Sequence, residues 1–209
     1  MKKSFVKVKS SWGHDINNTL LSQPIKSDSI VILFPGGTYS CDKPLLHYAK
    51  KVSSLLGCDV LSLEYGYYKL DKSFNPEFIN SIIEESLVAI KLVLSNNYNN
   101  IYFISKSLGT EIAGEISKKL GYNKIKNLFL TPIPNSITHI ENSKCIVVVG
   151  TNDQVISKEV VFKLGTNPLV DLKIIEGAVH SLEIEDDYIK SLDILKEITG
   201  LYTSFISNK

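Results

Sequence analysis

The chain has 209 residues, 44% hydrophobic and 22% charged, a composition that suits a folded domain with a sizeable core and argues against disorder. A formal net charge of +1 gives neither nucleic acid nor an acidic membrane surface an electrostatic reason to bind. Three cysteines, Cys41, Cys58 and Cys145, stand in no CxxC or zinc-like spacing, which argues against a disulfide framework or structural metal and makes a reducing cytoplasm the expected location.

The chain opens on MKKSFVKVKS. Lys7 and Lys9 interrupt the apolar run that a signal peptide would need, and no later apolar run approaches the length of a membrane span. Val6 and Val8 alternate with lysines, the pattern of a half-exposed strand near a sheet edge, and INNTLLSQ is its expected hairpin partner. Six short, apolar, β-rich runs follow: Ser29 to Phe34, Asp59 to Glu64, Asn100 to Ser105, Lys126 to Thr131, Lys144 to Gly150 and Asp171 to Gly177. Such runs read as strands buried on both faces of a parallel sheet.

Helical spacing fills the intervals. A first helix is expected near Asp42 to Leu56. Asn75 and Pro76 form an N-cap and first-turn pair, followed by the stripe Phe78, Ile82, Ile83, Leu87 and Ile90. Ile112, Ile116 and Leu120 make another stripe, closed by Gly121, and a last helix is expected over Tyr188 to Ile198. The alternation predicts one α/β domain over residues 1–209: a doubly wound, mostly parallel sheet with helices on both faces and antiparallel edge strands at the N-terminus.

In such a sheet, reactive groups gather beyond the carboxyl ends of the strands. The loops there read PGGTYS, SKSLGT, TNDQVI and AVHSLE, and supply in order a glycine pair, a serine, an aspartate and a histidine. An activated serine needs a nucleophile, a base, a carboxylate that fixes the base's tautomer, and backbone N–H donors for the oxyanion.

With these residues in this order, the chain from about Ser29 to its C-terminus resembles the α/β-hydrolase family, whose nucleophile sits in a GxSxG elbow between a strand and a helix. The resemblance implies Ser107 as nucleophile, Asp153 as acid and His180 as base. It implies an oxyanion hole from the N–H of Leu108 and that of Gly37 or Thr38. Two positions depart from the family pattern: Ser105 stands for the first elbow glycine, and Pro35-Gly36 for the usual His-Gly of the oxyanion loop. Serine is small enough for the elbow, and the missing histidine normally supports that loop.

Glu64 and Asp171 are rival acids, although Asp171 lies at the wrong end of its strand. His14, His47 and His139 are read as surface or core residues, and Asp153 also suits a turn. Tyr39 and Tyr65, with Tyr67 and Tyr68, are candidates to line a substrate pocket or are surface aromatics. PGGT lacks the spacing of a phosphate loop, and no HExxH or carboxylate cluster suggests a metal mechanism. PIPNSITHIENS, between the fourth and fifth of the six runs, is too short for a helical cap, so minimal or no lid is expected. The expected function is a serine esterase acting on a small soluble acyl substrate without a cofactor. Thioesterase, peptidase or acyltransferase chemistry on the same triad, or a noncatalytic binding protein of the same fold, are the alternatives.

Overall fold

A computed structural model describes residues 1–70 and 74–207. Lysines alternating with apolar residues make β1 (Lys2–Lys9) a half-exposed edge strand, paired antiparallel with β2 (Asp15–Ser22), Phe5 facing Thr19. β2 in turn pairs antiparallel with β4 (Asp59–Ser62). From there the sheet is parallel. β3 (Ser29–Phe34), β5 (Asn100–Lys106), β6 (Ile125–Leu130), β7 (Cys145–Gly150) and β8 (Val170–Ile175) complete eight strands in the order β1-β2-β4-β3-β5-β6-β7-β8.

The period of two in each strand sorts side chains between two cores. On one face Ile32, Phe34, Phe103 and Phe129 pack against the stripe Ile82, Ile83 and Ile90 of α2 (Ile79–Leu94) and against Ile112 and Ile116 of α3 (Leu108–Leu120). On the other, Leu33, Ile104 and Leu130 meet Leu45 and Leu46 of α1 (Pro44–Leu55) and Ile194, Ile198 and Tyr202 of α6 (Tyr188–Ser207). Two short helices, α4 (Ile137–Glu141) and α5 (Lys158–Gly165), were not expected from sequence. α5 starts where the Ser157 side chain accepts the N–H of Val160, and it buries only Leu164. Asn75 accepts the N–H of Glu77 as foreseen, although Pro76–Phe78 forms one 3₁₀ turn before α2 begins. All the strand-to-helix turns after β3, β5, β7 and β8 open at the same end of the sheet, which collects their side chains.

Candidate active site

β5 lies between β3 and β6 and hands over to α3 at Ser107. The serine's backbone stands at φ 52° and ψ −122°, in the positive-φ region that side chains rarely enter. Such a conformation costs on the order of 1–3 kcal/mol and persists only where the surroundings enforce it. Here they do. The Ser107 N–H donates to the carbonyl of Leu130 on β6 (3.1 Å), and a Cβ at Gly109 would lie only 2.5 Å from the carbonyl oxygens of both Phe34 and Pro35. The turn is therefore tight because α3 begins directly against the end of β3. Ser105, 1% exposed, sits lower in β5 with its hydroxyl toward the Leu128 carbonyl (3.4 Å).

Two distant loops meet this corner. His180 follows β8 and Asp153 follows β7. His180 Nε2 lies 2.9 Å from Ser107 Oγ, and its Nδ1 lies 2.8 Å from Asp153 Oδ2. An ionised Asp153 can only accept, so it takes Nδ1–H and leaves Nε2 free to accept the Ser107 hydroxyl. The Asp153 carboxylate is fully buried, whereas the imidazole is 29% exposed on the open side. Burial alone would raise the pKa of Asp153. The hydrogen bonds from His180 and from the Val155 N–H, with the nearby charges of His180 and Lys106, outweigh it and hold the carboxyl below its ordinary range.

The rivals lie elsewhere. Glu64 is exposed, its N–H bonded to Asn18 Oδ1, and Asp171 pairs with Lys173 at 2.8 Å. His14 bonds the Gly66 carbonyl, His47 stays in α1, and His139 is buried between Tyr122 and Glu115. One neighbour was not singled out from sequence. Lys106, only 2% exposed, donates through Nζ to the His180 carbonyl (2.9 Å) with the Tyr39 ring at 5.6 Å. Burial pushes this ammonium down to about 8, against the opposing pull of Asp153 and Glu183. The signal available was position: a lysine that continues a buried strand into the elbow has little room to reach solvent.

The glycine loop after β3 lies against the elbow, since a Cβ at Gly36 would fall 3.4 Å from Ser107 Cβ. Leu108 is the first residue of α3, so its N–H has no partner within the helix. Among the described residues, the N–H groups of Gly37 and Thr38 meet no protein acceptor, while that of Gly36 closes a turn on the Tyr39 carbonyl (2.9 Å). Tyr39 is half-buried, and its phenol oxygen accepts the N–H of Leu45 at the start of α1 (2.9 Å). Tyr65 departs from the pocket-lining role expected of it. It is 2% exposed and donates its hydroxyl to the Pro35 carbonyl (2.9 Å), because the chain after β4 runs behind the glycine loop. Tyr67 and Tyr68 do the same for the carbonyls of Gly37 (2.6 Å) and Gly36.

The connection from β6 to β7 carries only the turn Pro134–Ser136 and the five-residue α4, and among the described residues no helical cap covers the corner. Among the described residues no helix is long and apolar enough to cross a membrane.

No protein-family model matches the sequence, and no curated protein matches it. Solved structures do resemble the fold. An α/β serine hydrolase without lid from Xanthomonas campestris superposes with a TM-score of 0.73 at 12% identity, over 100% of this chain and 95% of that one. Dienelactone hydrolase from Anabaena variabilis gives 0.75 at 15% identity, over 99% and 97%. Est1E from Butyrivibrio proteoclasticus, with ferulic acid bound, gives 0.73 at 13%, over 96% and 97%. With its strand order, its elbow and these whole-chain likenesses, the chain has the α/β-hydrolase fold in a form without a lid.

Proposed function

We propose that the protein is a serine hydrolase that cleaves a carboxylic ester, or a closely related acyl bond, of a small substrate. The observation that carries this reading is the relay from Asp153 through His180 to Ser107, at 2.8 and 2.9 Å, at the apex of a strand-to-helix turn. Ser107 Oγ attacks the acyl carbon while its proton passes to His180 Nε2, and the carbonyl oxygen becomes an oxyanion held by the N–H of Leu108 and that of Gly37 or Thr38. As the carbon–oxygen bond to the leaving group breaks, His180 returns the proton to the departing alkoxide, leaving the acyl group on Ser107. Water then attacks with the same proton transfers and releases the acid. Asp153 remains ionised throughout and steadies the imidazolium. The neighbours named as hydrolases and esterases agree with this chemistry. Tyr39, half exposed beside the glycine loop, is the aromatic group best placed to touch a substrate.

The test is hydrolysis of p-nitrophenyl butyrate by wild type, Ser107→Ala and Ser105→Gly. Wild type and Ser105→Gly should turn over, and folded Ser107→Ala should fall to background. Full turnover by Ser107→Ala would refute the assignment.

A further inference from the structure

Three successive carbonyls of the glycine loop, those of Pro35, Gly36 and Gly37, accept hydroxyl protons from three tyrosines of one short segment, Tyr65, Tyr68 and Tyr67. No peptide here is cis, and in a planar trans peptide the carbonyl and the following N–H point in opposite directions. Holding the Gly36 carbonyl therefore fixes the Gly37 N–H, and holding the Gly37 carbonyl fixes the Thr38 N–H. Both are turned away from the tyrosines. These are the two loop N–H groups read above as candidate donors to the oxyanion.

The segment that does the holding is itself held. The rings of Tyr65, Tyr67 and Tyr68 pack on one another with centroids 4.9–6.2 Å apart, and Tyr67 also meets Phe74 and Phe78. Trp12, from the turn between β1 and β2, covers Gly66 so closely that a Cβ there would lie 2.7 Å from its ring, and Trp12 stacks edge-on against Phe78 at 5.2 Å. His14 of the same turn bonds the Gly66 carbonyl (2.9 Å). Burial pushes the Tyr67 phenol up to about 12 and raises those of Tyr65 and Tyr68 well above the ordinary phenol range, so all three remain O–H donors at any working pH.

We propose that Tyr67 and Tyr68 are positioning residues that preset the oxyanion donors, with Tyr65 anchoring the loop at Pro35. They supply the support that a histidine gives where Pro35 stands in the family pattern. This rests on the reading of Ser107 as the nucleophile, because an oxyanion forms beside that loop only if Ser107 attacks.

The test uses Tyr67→Phe, Tyr68→Phe and the double variant, which keep the rings and remove only the hydroxyls. Each single variant should lower kcat for p-nitrophenyl butyrate by roughly tenfold to a hundredfold, and the double variant toward the loss of a whole oxyanion donor, about 10²–10³-fold. KM and the midpoint of the pH–rate profile should not move, because binding and the relay are untouched. Affinity for a butyl trifluoromethyl ketone, which forms an anionic hemiketal on a serine nucleophile, should fall by the same factor as kcat/KM. Unchanged kcat in the folded variants, a loss that only tracks the folded fraction, or a shifted pH midpoint would each overturn the proposal. A wild type without Ser107-dependent turnover would remove the nucleophile reading as well, whereas an active wild type with an unchanged double variant would remove this proposal alone.

Discussion

Asp153 and Glu64 separate cleanly on their surroundings. One is a buried carboxylate 2.8 Å from His180 Nδ1, the other an exposed side chain beyond the end of β4. Removing the acid of such a relay leaves the histidine in the wrong tautomer and costs on the order of 10⁴ in kcat. Asp153→Asn should show that loss in ester hydrolysis and Glu64→Gln should keep most activity; the reverse ranking in folded proteins would move the role to Glu64. Lys106 makes a prediction about stability. Its ammonium titrates near 10.5 in an unfolded chain and near 8 in the fold, so the unfolded state binds the proton more tightly. The cost of burying the charge is complete below pH 8, fades between 8 and 10.5, and is absent above. At about 1.4 kcal/mol for each pH unit between 8 and 10.5, it comes to roughly 3–4 kcal/mol. Lys106→Met should therefore compare best with wild type at pH 7, and thermal unfolding should show that advantage shrinking by pH 10; an advantage that grows with pH would contradict the account. Ser107, Asp153 and His180 were legible in the sequence because each directly follows a recognisable strand. Lys106 and Tyr65 were not, because a lysine reads as solvated and a tyrosine as a ligand surface until the loop facing it is known.

The elbow depends on how closely α3 begins beneath the loop after β3. A methyl group at Gly109 would meet two backbone carbonyls, and backbone cannot yield as a flexible side chain does. Gly109→Ala should cost about 1–3 kcal/mol in urea denaturation and most of the proposed ester hydrolysis, since the same shift displaces Ser107 and the glycine loop together. A variant of wild-type stability and rate would mean that the contact relaxes freely. The short apolar runs announced β3 through β7 because strands covered on both faces have no polar side to obscure them; β8, read as equally covered, is instead the far edge of the sheet and leaves Asp171, Lys173 and Ile174 exposed. Boundaries were less legible. The last strand residues of β4 to pair with β2 and β3 end at Ser62, two residues before the sequence pattern does. α6 continues to Ser207 rather than ending at Ile198, because Tyr202, Phe205 and Ile206 extend its buried stripe and Gly200 faces open space. α4 and α5 escaped notice because five and eight residues give too little periodicity.

At the scale of the molecule, the reactive corner opens at the carboxyl edge of the sheet with no cap above it, so little apolar surface is at hand to enclose a long acyl chain. p-Nitrophenyl butyrate should be turned over faster than the palmitate, without activation at a lipid interface; preference for the palmitate would contradict an open site. The alternation of strands and helices made the doubly wound architecture legible, but the placement of β4 between β2 and β3 was not, since strand order is decided by crossovers and packing rather than by any one segment. The N-terminal hairpin read only as an edge, yet its turn places Trp12 and His14 behind the tyrosine segment that braces the glycine loop. The proposed chemistry depends on one hydroxyl, that of Ser107. Treatment with a fluorophosphonate probe, followed by peptide mass spectrometry, should find a single adduct on Ser107, lost in Ser107→Ala and retained in Ser105→Gly; an adduct on Ser105, or on no serine of the folded protein, would refute Ser107 as the nucleophile.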